Sequence, residues 1–222
     1  MKNQINISKL FKCAALAVGG FIASVATPAS AVWINEFHYD NAGTDVGEFI
    51  EVAGASGMDL TGYKILLYNA SGGAVYATIN LSGIIDNESN GYGALDFAAL
   101  GIQNGAPDGF ALVNGTTVIQ FLSYEGTFVA VGNSANGLTS TDVGVVENGT
   151  ATSPYSLYLT GHGSSYDDFT WIGSAAESRG SINDGQIFPT PISNAPDVGS
   201  SALLLSLVLG CFGLASKRRI RV

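Results

Sequence analysis

The 222-residue chain is poor in several things, and each scarcity excludes a class of protein. Cysteine occurs twice, at Cys13 and Cys211, so the long stretch between them has no disulfide to staple it. Basic residues are nearly absent from that stretch. All 18 acidic residues lie between Glu36 and Asp197, against only Lys64 and Arg179, which leaves sixteen net negative charges. Such a surface repels phosphate backbones, so no nucleic-acid partner is expected. Histidine is represented only by His38 and His162, 124 positions apart. No H-E-x-x-H, P-loop or G-x-S-x-G motif is present. Charged residues are few and apolar ones many, the opposite of a disordered acidic tail. The 29 glycines follow no triplet period and suit a chain rich in turns.

The two ends differ from the middle. Met1 to Lys12 is polar and basic, Cys13 to Val25 is apolar, and Ala29-Ser30-Ala31 offers an A-x-A cleavage site. These are the three parts of a secretory signal, residues 1–31, with Val32 as the new N-terminus. At the other end, a polar linker (189–201) precedes an uncharged run, Ala202 to Ser216, and a basic tail, Lys217 to Val222. As a helix the run reaches about 22 Å, or about 28 Å counted from Val198, against a ~30 Å hydrocarbon core. The basic tail would stay on the cytoplasmic side of a membrane crossed by this helix. The expected location is therefore export across a membrane and anchorage in it by the C-terminal helix.

Pro196-Asp197, Gly199-Ser200, the apolar run and Lys217-Arg218-Arg219 together resemble the C-terminal sorting signals read by exosortases. The resemblance is to the PEP-CTERM group, and more closely to its VPDSG-CTERM variant. Ala195, Val198 and Ser201 depart from that variant's motif. The resemblance implies an exosortase-like membrane enzyme as partner, removal of the helix, and transfer to the cell surface or extracellular matrix. A plain single-span anchor is the alternative.

Between the ends, the periodicity is that of strands. Trp33 to Tyr39 and Glu48 to Val52 alternate for part of their length. Short β-branched or aromatic runs follow at Tyr63–Tyr68, Val75–Leu81, Phe110–Val113, Val118–Tyr124, Thr127–Val131, Ser156–Thr160 and Asp168–Ile172. Turn signals stand between them, the clearest being Asn114-Gly115, which predicts a hairpin. No amphipathic helix of useful length intervenes. The expectation is one all-β domain over 32–188, a sandwich or barrel.

The order of motifs resembles the lamin-tail domain of secreted bacterial proteins. The matching residues include Ile34-Asn35-Glu36-Phe37, Glu48-Phe49-Ile50-Glu51-Val52, Asp59-Leu60-Thr61-Gly62-Tyr63, Pro107-Asp108-Gly109 and Phe169-Thr170-Trp171. Ser178-Arg179-Gly180-Ser181-Ile182-Asn183 keeps the Gly and Asn of the family's closing T-P-G-x-x-N turn but has Arg179 in place of Pro. The resemblance implies an immunoglobulin-like β-sandwich and is silent on activity, since the family hosts many roles.

No catalytic residue, cofactor or metal ligand is assigned. Asp40, Asp45, Glu48 and Glu51 form an acidic cluster that could be a calcium loop, but the EF-hand spacing is missing and a solvated acidic face is preferred. Asp167-Asp168 is a second such pair. Trp33 and Trp171 read as core, whereas Tyr39, Tyr124, Tyr155, Tyr158 and Tyr166 could meet a sugar. The leading expectation is a non-enzymatic surface or matrix protein acting in adhesion or assembly. The alternatives are a carbohydrate- or polymer-binding module, or an accessory to a separately encoded extracellular nuclease.

Overall fold

A computed structural model describes residues 32–147, 149–150 and 155–190. The signal-like segment, including Ala29 and Ala31, lies outside the described residues, as do Pro196, Asp197, Gly199, Ser200, the C-terminal apolar run and the basic tail. Among the described residues no helix is long and apolar enough to cross a membrane.

The strands are β1 (Val32–His38), β2 (Phe49–Ala55), β3 (Tyr63–Asn69), β4 (Ala74–Asn80), β5 (Tyr92–Ala98), β6 (Asp108–Asn114), β7 (Thr117–Tyr124), β8 (Thr141–Asp142), β9 (Tyr155–His162), β10 (Phe169–Ala176) and β11 (Gln186–Ile187). They form two sheets. The first runs β10-β9-β1-β2-β5, with β11 beside β9; the second runs β4-β3-β6-β7-β8. Pairing is antiparallel except for β11 on β9 and β8 on β7. This is the expected all-β domain, built as a β-sandwich.

Alternation explains the layers. Ile34, Phe37, Ile50, Val52, Leu157 and Leu159 of the first sheet share one core with Ile65, Leu67, Phe110, Leu112, Leu122 and Tyr124 of the second. Phe37 sits at the centre, edge-on to Phe110 at 4.9 Å and to Trp171 at 5.3 Å. Both tryptophans are buried, as their strand patterns require. The unbroken run Ile65-Leu66-Leu67-Tyr68 is apolar on both faces because both faces are covered. Leu66 and Tyr68 point away from the main core into a second cluster with Ala111, Val113 and Phe121, roofed by Phe128, Ala130 and Ala135.

That roof corrects one expectation. Thr127–Val131 adds no sheet strand; only Val129 makes a bridge, to Thr139. The segment turns back on itself through Gly137 N–H to Ala130 O and Ala130 N–H to Leu138 O, and so lays Phe128 and Ala130 on the second sheet. Val129 and Val131 face solvent. The hairpin between β6 and β7 is present but offset by one residue. Asn114 pairs with Thr117, so Gly115 and Thr116 form the tip, with Gly115 at φ 59°.

β1 carries a bulge at Asn35–Glu36, opposite Glu51 of β2. Register then places Tyr158, Glu36, Glu51 and Asp96 in a row across β9, β1, β2 and β5. The row lies on the outer face of the first sheet, opposite in pleat to Phe37 and Ile50. The chain after β10 folds back over it as a strap, residues 177–188, which ends with Phe188 packed on Trp33, Tyr92 and Phe169.

Candidate functional site

Two polar clusters and one cavity gather the domain's chemistry. The first cluster sits at the end of the sandwich where the β1–β2, β5–β6, β7–β8 and β8–β9 loops meet. Its centre is Glu147, a residue that sequence reading passed over. Glu147 Oε2 accepts from the backbone N–H groups of Tyr39 (2.7 Å) and Asp40 (2.9 Å). Its Oε1 faces His38 Nδ1 at 2.9 Å, with the two side chains 0% and 2% exposed. The other ring nitrogen, Nε2, faces Asn41 Oδ1 at 3.1 Å, and Val46 N–H also donates to that oxygen, which fixes the amide's orientation. Both imidazole nitrogens therefore meet acceptors, the arrangement of a protonated ring. Burial pulls His38 down, but the bond to Glu147 and its charge outweigh burial and raise its pKa. The Tyr39 hydroxyl donates to Glu125 Oε1 (2.8 Å) and accepts from Glu147 N–H (2.9 Å). Its ring stacks on Tyr124 at 4.2 Å.

This geometry is closed to substrate. His38, Tyr39, Tyr124 and Glu147 are all buried. Tyr39 and Tyr124 are thus removed from the set of sugar-facing aromatics: they are core, tied down by their hydroxyls. Tyr158 is buried too, and Tyr155 and Tyr158, three apart on β9, face opposite sides. Tyr166 accepts from Trp171 Nε1 at 3.0 Å. No aromatic platform results. His38 follows Phe37, which pairs with Leu157 in an antiparallel ladder, so His38 stands level with Ser156, and His162 lies six residues further along β9, ~20 Å away. The two histidines cannot share a reaction.

The acidic cluster of the sequence is divided by the fold. Asp40 and Asp45 are bridged by Asn104 Nδ2 at 3.3 and 3.1 Å. Asp45 Oδ1 also accepts from Asn41 N–H, and Glu48 Oε2 from Gly101 N–H. Glu51 is elsewhere, in the outer row. Among the described residues no group of three or more His, Cys, Asp or Glu side chains is placed to hold a metal ion. Asp168 gathers Ser164 N–H, Ser165 N–H and the Ser165 hydroxyl, which lowers its pKa and makes it the acidic member of the capping box that Ser165 opens on a short 3₁₀ turn.

The second cluster is the carboxylate row under the strap. Glu36 Oε1 accepts from the Ser156 hydroxyl and from Ser178 N–H (2.9 Å). Glu51 Oε1 accepts from Asn35 Nδ2 (2.9 Å) and Oε2 from Gly180 N–H (2.6 Å). Asp96 pairs with Arg179 Nε at 2.6 Å, and the guanidinium lies over the Phe49 ring at 4.7 Å. Asn183 Nδ2 donates to the carbonyls of Asn35 and Leu159, both at 3.0 Å. Burial raises the pKa of Glu36. Burial, then the neighbouring Glu36 charge, raises that of Glu51 well above the ordinary range. The Asn35-Glu36, Glu51 and Ser178-to-Asn183 segments, far apart in sequence, thus form one network, and Arg179 is its only cation among the described residues.

The cavity, of about 390 Å³, lies beside the β3–β4 turn and is lined by Asn69, Ala70, Ser71, Gly105, Ala106, Pro107, Asp108, Thr127 and Phe128. Asp108 Oδ1 accepts from Ala70 N–H at 2.9 Å, and burial raises its pKa. Asn69 Oδ1 accepts from Ser71 N–H at 2.8 Å. Compared with known proteins, the chain matches no family model, no curated protein and no solved structure.

Proposed function

We propose that this is a non-enzymatic exported protein of the cell surface or extracellular matrix, acting in adhesion or assembly. In this reading the domain is a lamin-tail-like, immunoglobulin-like sandwich presented through an exosortase-type C-terminal signal. One observation favours a structural role. The strongest ionisable constellations, His38–Glu147 and Glu36–Glu51, are buried and spend their bonding capacity on the domain's own backbone and side chains. Catalytic groups need an open face toward substrate, and these have none.

The test is the mass of the mature protein. Surface-released material should begin at Val32 and lack Leu203 to Val222. Replacing Pro196 and Asp197 by Ala should hold the full-length form in the inner membrane. Release unchanged by that double substitution would leave a plain membrane anchor in place of sorting. The cavity beside Asp108 favours a second reading, a polymer-binding module. Its test is a glycan array, in which binding should be lost on Thr127→Trp, a substitution that fills the cavity.

A further inference from the structure

The spacing of the carboxylate row under the strap calls for one hydrogen more than ionised side chains can supply. Asn183 gives both Nδ2 hydrogens to the carbonyls of Asn35 and Leu159, so its Oδ1 must face the Ser178 hydroxyl, 3.0 Å away. The same hydroxyl lies 3.0 Å from Glu36 Oε2. A serine hydroxyl has one hydrogen and cannot satisfy two acceptors fully. The count closes if Ser178 donates to Asn183 and Glu36 Oε2 itself carries a proton, donated to Ser178 Oγ.

Charge points the same way. Glu36 and Glu51 are directly opposed on neighbouring strands, a position where like charges destabilise the pair. Asp96, next in the row, is already matched by Arg179. The other groups facing the pair bring no positive charge. They are Tyr158 from β9 and Glu177 from the strap; further out, Asp184 acts on Tyr158 and Glu88 accepts Ile182 N–H. Glu51 has donors on both oxygens, Asn35 Nδ2 and Gly180 N–H, as an ionised carboxylate requires.

We propose that Glu36 and Glu51 form a one-proton latch, which clasps the Ser178–Asn183 strap to the first sheet while Glu36 is a carboxylic acid and loosens it when that proton is lost. The direction follows from linkage. The pair as a unit binds one proton more tightly in the closed state than in the open one. Closure is therefore strongest at and below the ordinary glutamate value of 4.5 and weakens as pH rises through the raised value. Within that window, opening should increase about tenfold per pH unit, the slope for loss of one proton.

The experiment uses the full chain and two readouts. Infrared spectra at mildly acidic pH, above the ordinary glutamate range, should contain a protonated-carboxyl stretching band. Glu36→Gln should remove one carboxyl's intensity from that band, whereas Asp96→Asn should leave it intact, even though buried Asp108 and Glu48 contribute to it as well. Hydrogen exchange at the Ser178 and Gly180 amides, corrected for intrinsic chemistry, should steepen with pH in the parent. It should be flat in Glu36→Gln, whose amide can donate to Ser178 Oγ as the acid does. Glu51→Gln should loosen the strap at every pH, because its NH₂ would meet the donors of Asn35 or Gly180. Absence of the band from the parent, or a pH slope that Glu36→Gln retains, overturns the latch. Should Glu36→Gln fail to fold, the parent's exchange slope at Ser178 and Gly180 still decides the matter.

Discussion

Removing the Glu147 carboxylate should be the costliest single polar substitution in the domain. Glu147→Ala strips the acceptor from Tyr39 N–H, Asp40 N–H and His38 Nδ1, held at 2.7, 2.9 and 2.9 Å. An orphaned buried donor costs about 1–3 kcal/mol, and breaking a buried ion pair about 3–5 kcal/mol. These are two reckonings of one loss, so ~3–5 kcal/mol is expected, a large part of the ~5–15 kcal/mol that holds a domain together. At ~2–4 °C per kcal/mol, the melting temperature should fall by ~6–20 °C. Glu147→Gln separates charge from geometry. Both backbone amides bond Oε2, so the amide oxygen can keep them while its NH₂ donates to a neutral His38 Nδ1, with Nε2–H still on Asn41. In the parent, the raised His38 pKa contributes stability that is full below the ordinary histidine value of 6.5 and is lost as pH rises through the folded value. The glutamine variant should lose that dependence while melting above the alanine variant. Calorimetry or fluorescence melting between pH 5 and 9, at about half-unit steps, reads both effects. A loss below ~1 kcal/mol for Glu147→Ala, or a parental pH slope in Glu147→Gln, would refute the reasoning.

Two further outcomes are expected. Gly73→Ala should cost about 1–3 kcal/mol and speed proteolysis within 128–140, because Gly73 has φ +67° and a Cβ there would stand 2.5 Å from Val129 O. Millimolar Ca²⁺ and Mg²⁺ at equal ionic strength should shift the melting temperature equally, since Asn104 already bridges Asp40 and Asp45 and Glu51 belongs to another cluster. A larger shift with Ca²⁺ that Asp45→Asn abolishes would restore the calcium loop.

Strands rich in β-branched and aromatic residues were legible in sequence, and so was the burial of Trp33 and Trp171. β5 was not. Tyr92-Gly93-Ala94-Leu95-Asp96-Phe97-Ala98 has no β-branched residue, and its small side chains read as loop. Gly93 is small for a reason seen only in three dimensions: a Cβ there would stand 2.0 Å from Asp86 O. β8 and β11, two residues each, exist only because longer strands offer them an edge. The candidate site failed differently. Asp40, Asp45, Glu48 and Glu51 are close in sequence, but the turn into β2 sends Glu51 to the outer face. Its true neighbours, Glu36, Asp96 and Gly180, are 15, 45 and 129 positions away. The motifs that carry the resemblance include Glu36, Glu51, Gly180 and Asn183, but nothing in the sequence said that they meet.

The strap also decides how the domain bears load. A pull on Thr190 is taken up first at the first sheet and at the turn before β5, where the bonds of Phe188 and β11 end. It meets Phe188, whose carbonyl holds Asn90 Nδ2 at 2.7 Å, then the two-residue parallel pairing of β11 on β9. Behind these stand the bonds of Asn183 and Ser178. The first are pulled along the strand and share the force; the bonds of the strap come off in sequence, one at a time. The fold therefore has a sacrificial segment. Force can lengthen the chain by the twelve residues from Glu177 to Phe188 before β10, and with it the sandwich, begins to open.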